Sequence, residues 1–391
     1  MAVRISTGRR VSALLAIFLC IELLDEIVDG LIGAAWPLIR HDLALSYVEI
    51  GLLFTVPSLV AHVVEPAVGL LADGKRRFAA IALGGCAFAT AMILVAGATS
   101  FLYVLAALVV FYPASGTFVS LSQSSLMDLR PDDEERNMVL WTIAGGLGVA
   151  LGPILLGLAL WADGSWRDVF LVVGALSLGA TVAVWLLRPR RAFVDEDDDE
   201  PHVLRRAWQA ARDPVILKWL FLLAAVDMLL EVFVSFLTLY FVDEVGAKPA
   251  IAAAILSAWT IAALAGEAAL IVVLRYVGGL RVLRTTTVLV GVLLPLFFLV
   301  PGVTIKAVII TLVGLFSAGW YAITKAQFFK ELAGKTGIAM ALSSVFGVVQ
   351  GFVPAGVGWI AETHGLQTAL LGVVVVPIVL GVGVSSRMSA G

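Results

Sequence analysis

Four acidic residues, Glu22, Asp25, Glu26 and Asp29, interrupt an otherwise apolar run between residues 11 and 38. At about 100° per residue they fall on one stripe of a helix. A mid-membrane Asp costs roughly 2.5 to 3.5 kcal/mol on insertion scales, so a spanning helix with four carboxylates is tolerated only where the stripe meets water or partner groups. The stripe is therefore expected to line a pathway. Two carboxylates one turn apart in a poorly solvated cavity cannot both ionise cheaply, so they are expected to titrate as coupled groups and can carry protons.

Four further acids lie within apolar runs: Glu65, Asp227, Glu231 and Glu267. A single offset of 202 residues relates Asp25 to Asp227, Asp29 to Glu231 and Glu65 to Glu267. The same shift relates Gln123 to Lys325, Ser115 to Ser317 and Gly145 to Gly347. The two halves are thus read as parallel repeats, which place a binding site at their shared interface near the bilayer midplane. Lys325 and His62 are the basic groups set against these eight acids, so the cavity should favour cations. Glu65 can pair with His62 one turn away, and Lys325 can neutralise one acid across the cavity. Asp25, Asp29, Asp227 and Glu231 are the leading proton-coupling and cation-binding candidates. Glu22 and Glu26 follow, then Glu65 and Glu267 nearer the cytoplasmic side, with His62, Gln123 and Lys325 as the polar groups of the cavity.

The elements that must carry these groups are hydrophobic spans. The chain has 61% hydrophobic and 14% charged residues and a mean hydropathy of +1.02, well outside the range of water-soluble domains. Twelve spans, each able to cross a hydrocarbon core of ~30 Å, are read at 11–38, 47–72, 78–98, 101–127, 138–160, 168–187, 215–241, 249–274, 284–300, 304–329, 337–360 and 367–386. This predicts an all-α membrane protein of two six-helix bundles, 1–187 and 215–391, joined by a cytoplasmic linker at 188–214. With both termini cytoplasmic, 21 of the 26 Lys and Arg fall on the inner side, Arg40, Arg167, Lys248 and Lys306 on the outer side, and Lys325 within a helix. The basic start, Arg4, Arg9 and Arg10, precedes a long acidic segment without a small-residue cleavage site, so the segment is read as the first helix rather than a signal peptide. Cys20 and Cys86 stand alone in separate spans, read as buried inert thiols rather than a disulfide or thiolate metal site. The linker combines basic stretches suited to the inner membrane surface with the acidic run Asp195 to Glu200.

The run from Gly69 through Leu71, Ala72 and Asp73 to Lys75, Arg76 and Arg77 resembles the G-x-L-a-D-r-x-G-r-k signature of the major facilitator superfamily, with its later glycine absent. The resemblance spans essentially the whole chain. It implies a cytoplasmic latch with Asp73 as acid and Arg130 or Arg136 as partner, and with Gly69, Arg76 and Arg77 around it. Gly145 to Gly157, containing Gly148, Gly152 and Pro153, is similar to the glycine-rich element that marks the antiporters of this superfamily. Small residues at i and i+4 allow close helix approach and Pro153 permits a bend, which suits a gating helix.

Together these features point to a secondary active transporter rather than an enzyme. The leading expectation is proton-coupled export of an amphipathic organic cation by alternating access, in the manner of the drug/proton antiporter branch. Aromatic residues such as Trp36, Phe54, Trp141, Phe233, Trp259 and Trp320 are candidate walls for such a cation. The alternatives are a divalent metal cation transporter, a proton-coupled symporter of a neutral or zwitterionic nutrient, and a non-transporting receptor or assembly factor on the same fold. No cofactor and no resident metal are expected beyond the driving proton gradient. A monomer in a bacterial inner membrane, with a small cationic substrate, the lipid bilayer and no nucleic acid as partners, completes the expectation.

Overall fold

The computed structural model describes residues 2–71, 76–129, 134–188, 212–331, 342 and 345–385. Every regular element among them is helical. The first six long helices are α1 Ala2–Leu43, α2 Tyr47–Leu71, α3 Arg77–Ala96, α4 Phe101–Leu129, α5 Glu134–Trp161 and α6 Trp166–Leu187. They are followed by α7 Pro214–Glu244, α8 Pro249–Val273, α9 Gly279–Leu299, α10 Val303–Glu331, α11 Val345–His364 and α12 Leu366–Ser385. Eleven of these are long and apolar enough to cross a membrane, and α1, interrupted by its four carboxylates, is the remaining long helix. The linker and the start of the eleventh expected span fall mostly outside the described residues.

Local chemistry sets the helix starts. Ser165 and Asp168 form a reciprocal capping box at the head of α6, and Ser46 and Glu49 form another at the head of α2. Asp213 accepts from the Val215 amide, and Pro214 occupies the first turn of α7, where its missing N–H costs nothing. Gly302 and Gly365 take φ of 85° and 88° in the tight connections before α10 and α12. Gly319, at φ 77°, breaks α10 into Val303–Ser317 and Trp320–Glu331.

The described contacts separate two compact units, Met1–Leu45 with Leu53–Asp197, and Ser46–Leu52 with Asp198–Gly391. In the first, α1 packs against α4, α5 and α6, and α3 packs against α4 and α6. Its interior includes the rings of Phe88, Phe111 and Phe118, with Phe88 at 5.2 and 5.8 Å from its two partners. In the second, α9 packs on α10 and α12, α8 on the first half of α10, and α7 on the second half of α10 and on α12. Phe233, Tyr240, Phe241, Phe297 and Phe298 form its aromatic core.

Large apolar side chains also point outward. Val63, Leu83, Leu186, Ile271, Leu299 and Val382 are each more than half exposed, which a water-soluble surface would not tolerate on this scale. A hydrocarbon solvent accounts for them, since helices satisfy their own backbone polar groups there. Cys20 and Cys86 share this outward orientation, correcting the expectation that they are buried: both are free and exposed, each on a helix face its own unit leaves uncovered.

Two groups expected on the outer side prove more deeply integrated than loop residues. Lys306, expected on the outer side, is only 6% exposed. Its Nζ donates to Tyr240 Oη at 2.9 Å and to the Phe297 carbonyl at 2.6 Å, capping the last turn of α9. Arg167 reaches Asp42 at 2.7 Å and the Ala98 carbonyl at 3.1 Å, while Trp166 Nε1 donates to Asp42 at 2.8 Å. This ties the end of α1 to the start of α6 and to the α3–α4 connection.

Candidate functional site

The acidic stripe of α1 is divided among its neighbours. Glu22, 6% exposed, lies against Gly145 of α5, where an added Cβ would come within 2.7 Å of its carboxylate. Glu26 lies beside Gly145 and Gly148 of the same helix. Asp25 faces α4 and accepts a hydrogen bond from Ser115 Oγ at 2.6 Å. Asp29 is exposed, on a face of α1 that its own unit does not cover. In a bilayer an ionisable group so placed requires water.

Glu65 of α2 joins this group. Its side chain fills the space above Gly116 of α4, which a Cβ would occupy. Asp25 lies within electrostatic reach of Glu22, Glu26, Asp29 and Glu65, and His62 reaches Glu65. His62 Nδ1 pairs with the Ser58 carbonyl at 2.7 Å, which fixes the ring along its own helix. Among the described residues no cation lies within ion-pair distance of these five acids.

The glycines of α5 make the stripe's environment. Cβ atoms at Gly148 and Gly152 would collide with the α1 backbone at Leu23 and Ile27, and one at Gly30 of α1 would collide with Val149. The two helices therefore meet backbone to backbone, the geometry that small residues permit. Pro153 is buried within α5 beside Gly30.

The second unit holds a different set. Asp227 of α7 accepts from Gln350 Nε2 of α11 at 2.9 Å and lies within electrostatic reach of Lys325 of α10. Lys325 Nζ is held by Tyr321 Oη at 3.0 Å, one turn back along its own helix. Glu231 is exposed, and Glu267 is exposed on α8. Immediately after Asp227 the helix widens into a π-helical stretch, Met228–Phe233, that contains Glu231, and a second follows at Tyr240–Glu244. Wide turns of this kind are rare and are frequently found at functional sites. Gln123 of α4 donates to Met138 Sδ at 3.6 Å, and among the described residues no acid is its partner.

Of the residues expected to form the latch, Asp73 and Arg130 lie outside the described residues. Gly69 lies in α2, and Arg76 and Arg136 are exposed. Arg77 is buried at the start of α3 and forms an ion pair with Asp128 at the end of α4, a partner the signature did not indicate. Of the aromatic residues singled out, Trp36, Trp141, Phe233, Trp259 and Trp320 are almost fully buried. Trp320 Nε1, for example, donates to Thr286 Oγ1 at 2.8 Å. Among the described residues no three His, Cys, Asp or Glu side chains are grouped so as to hold a metal ion.

Ser115, Gln350, Tyr321 and the π-helical turns were not singled out as site features from the sequence. The repeat register gave one signal: Ser115 shares the offset that aligns the acids.

The family model for the Major Facilitator Superfamily matches residues 18–353. The fosmidomycin resistance protein of Escherichia coli (strain K12) is 26% identical over 162 residues, covering 40% of this chain and 38% of that protein. The synaptic vesicular amine transporter of Homo sapiens is 29% identical over 163 residues, covering 41% of this chain and 32% of that protein. Each match thus spans well under half of the relative's length. A crystal structure of the nucleoside transporter NupG superposes with a TM-score of 0.74 at 14% identity, covering 97% of this chain and all of that one, which speaks for the fold alone.

Proposed function

This chain belongs to the major facilitator superfamily and is an integral membrane transporter of small molecules, not an enzyme, and within that family we propose that it is a proton-coupled exporter of an amphipathic organic cation. The carrying observation is the connected group of carboxylates around Asp25, with a hydroxyl partner and no described cation at ion-pair distance. Such a group binds either protons or a positive charge, which is the competition an antiporter needs. In this reading a cation and protons exchange for the same acids as the cavity opens alternately to the two sides of the membrane. The protein works as a monomer in a bacterial inner membrane with both termini cytoplasmic.

The relative named an amine transporter supports the cation class, since amines are protonated at neutral pH. The relative named for fosmidomycin resistance supports export.

Purified protein in proteoliposomes, presented with lipophilic cations, divalent metals and neutral solutes, tests this. Substrate-dependent proton flux is expected with the lipophilic cations. Flux driven by the metals or neutral solutes and not by any lipophilic cation would refute the reading.

A further inference from the structure

One helix of the second unit carries hydrogen-bond donors that no described residue uses. Lys325 of α10 gives a hydrogen of its Nζ to Tyr321 Oη at 3.0 Å, and the ammonium stands 4.8 Å from the centre of the same ring. An ammonium has three hydrogens, and among the described residues the other two meet no acceptor. Tyr321 Oη spends a lone pair on this contact, so its own hydrogen is left to give. Tyr321 is exposed and Lys325 half-buried, both within the span of α10. Spare donors and a positive charge thus stand together on adjacent turns of a membrane helix. Polar groups so placed are expensive unless water or a ligand meets them.

The obvious protein partner is not in contact. Asp227 of α7 lies within electrostatic reach of Lys325, yet among the described residues no ion pair joins them, and Asp227 accepts instead from Gln350 Nε2 of α11 at 2.9 Å. A lysine serving only to neutralise Asp227 would sit at ion-pair distance from it. Here the tyrosine holds the ammonium one turn back along its own helix. Nor does the fold call for the pair. The offset of 202 that relates the halves puts Val119 and Gln123 at the same two positions of α4, which is helical through both. The lysine and the phenol belong to the second half alone.

An oxyanion matches what these groups offer. A carboxylate only accepts, through several lone pairs on two oxygens, and an ammonium beside a phenol only has hydrogens left to donate. Bonds between them are charge-assisted, the stronger class. A plain cation gains nothing from such donors.

We propose that Lys325 and Tyr321 form a receiving site for an oxyanion carried by the transported molecule, so that the substrate is an amphipathic cation that also bears a carboxylate or similar acidic group. The oxyanion half stands on α10 alone, and the cationic half rests on the exporter reading above.

Binding to the full-length protein in lipid nanodiscs tests this with three probes. Pentyltriphenylphosphonium is a cation, (carboxybutyl)triphenylphosphonium has the same chain ended by a carboxylate, and phenylvalerate is a carboxylate without the cation. The wild type is expected to bind the carboxybutyl probe about tenfold or more tighter than the pentyl probe, as one charge-assisted contact provides. Lys325→Met keeps the length of the side chain and should abolish that preference, with the pentyl probe bound no more weakly. Tyr321→Phe keeps the ring and the lysine's charge. It should cut the preference severalfold with the pentyl probe unchanged, a result that the distant field of the lysine would not produce, and it carries the test alone if Lys325→Met misfolds. A wild type that binds the pentyl probe without preferring the carboxylate overturns the oxyanion site. So does a preference that survives both substitutions, or a failure of both carboxylate probes to bind. Binding of phenylvalerate that needs Lys325 and Tyr321, with neither phosphonium probe bound, would keep the site and sink the cation reading instead.

Discussion

Replacing Gly148 by alanine is the sharpest probe of the contact that holds the acidic helix. A Cβ at that position would stand 2.6 Å from Glu26 Cβ, 2.6 Å from the Leu23 carbonyl oxygen and 3.0 Å from the Ile27 amide nitrogen. Two of these three are backbone atoms of α1, which cannot swing aside as a side chain would. Overpacking of one methyl typically costs about 1–3 kcal/mol. Against this, alanine is better than glycine in a helix interior by about 0.5–1 kcal/mol. The clash wins, leaving a net loss of up to about 2 kcal/mol. Gly157, later in the same helix, has no neighbour within 4 Å of such a Cβ, so Gly157→Ala should show only the helix gain. Thermal unfolding of purified protein in detergent reads both. At roughly 2–4 °C per kcal/mol for a unit of this size, Gly148→Ala should lower Tm by a few degrees and Gly157→Ala should raise it slightly. If the two variants raise Tm alike, α1 and α5 do not meet backbone to backbone, and the placement of Glu22 and Glu26 against α5 falls with that contact.

Lys306→Met should destabilise the second unit by about 1–3 kcal/mol in the same assay, because the Tyr240 hydroxyl and the Phe297 carbonyl lose a buried donor; an unchanged Tm would make the lysine dispensable. Arg77→Gln should slow transport or lower stability more than Arg76→Gln, since Arg77 is buried against Asp128 and Arg76 is exposed; equal effects in a flux and unfolding comparison would deny that pair a role. At Asp42, beyond the spanning part of α1, partial burial opposes ionisation. The Trp166 and Arg167 hydrogen bonds and the Arg167 charge outweigh it and hold the carboxyl below its ordinary value. Its stabilisation is therefore full above the unfolded value of about 3.9 and lost as pH falls through the lower folded value, so a pH series of Tm should show an acid loss that Asp42→Asn lacks.

The helices could be read because bilayer spans advertise themselves: eighteen or more apolar residues in succession leave few other structures open. The carboxylates of α1 stood out for the converse reason, as expensive residues in an apolar run. What surrounds them could not be read in the same way. Ser115 and Gln350 are ordinary residues in membrane helices, and only the fold brings one to Asp25 and the other to Asp227. Lys306 sits at a span boundary, where hydropathy cannot tell a buried helix cap from an exposed loop charge. The tryptophans carried the same ambiguity, since a ring that packs a core and a ring that lines a cavity have the same composition. Cys20 and Cys86 were misjudged because lipid makes an exposed thiol inexpensive.

The wide turns of α7 set it apart from α1, whose acids it carries at one offset. Position by position the halves keep one spacing through α1 and α7, with no residue gained or lost between Asp25 and Asp29 or between Asp227 and Glu231. Yet α1 winds as an α-helix throughout, while α7 passes through π-helical winding from Met228 to Phe233. A π-turn takes more residues than the 3.6 of an α-turn, so side chains beyond it lag in angle behind their counterparts, by about 100° for each residue so absorbed. The two segments thus differ in winding and not in length. Acids related by one offset can thereby be aimed in different directions although the spacing between them is unchanged.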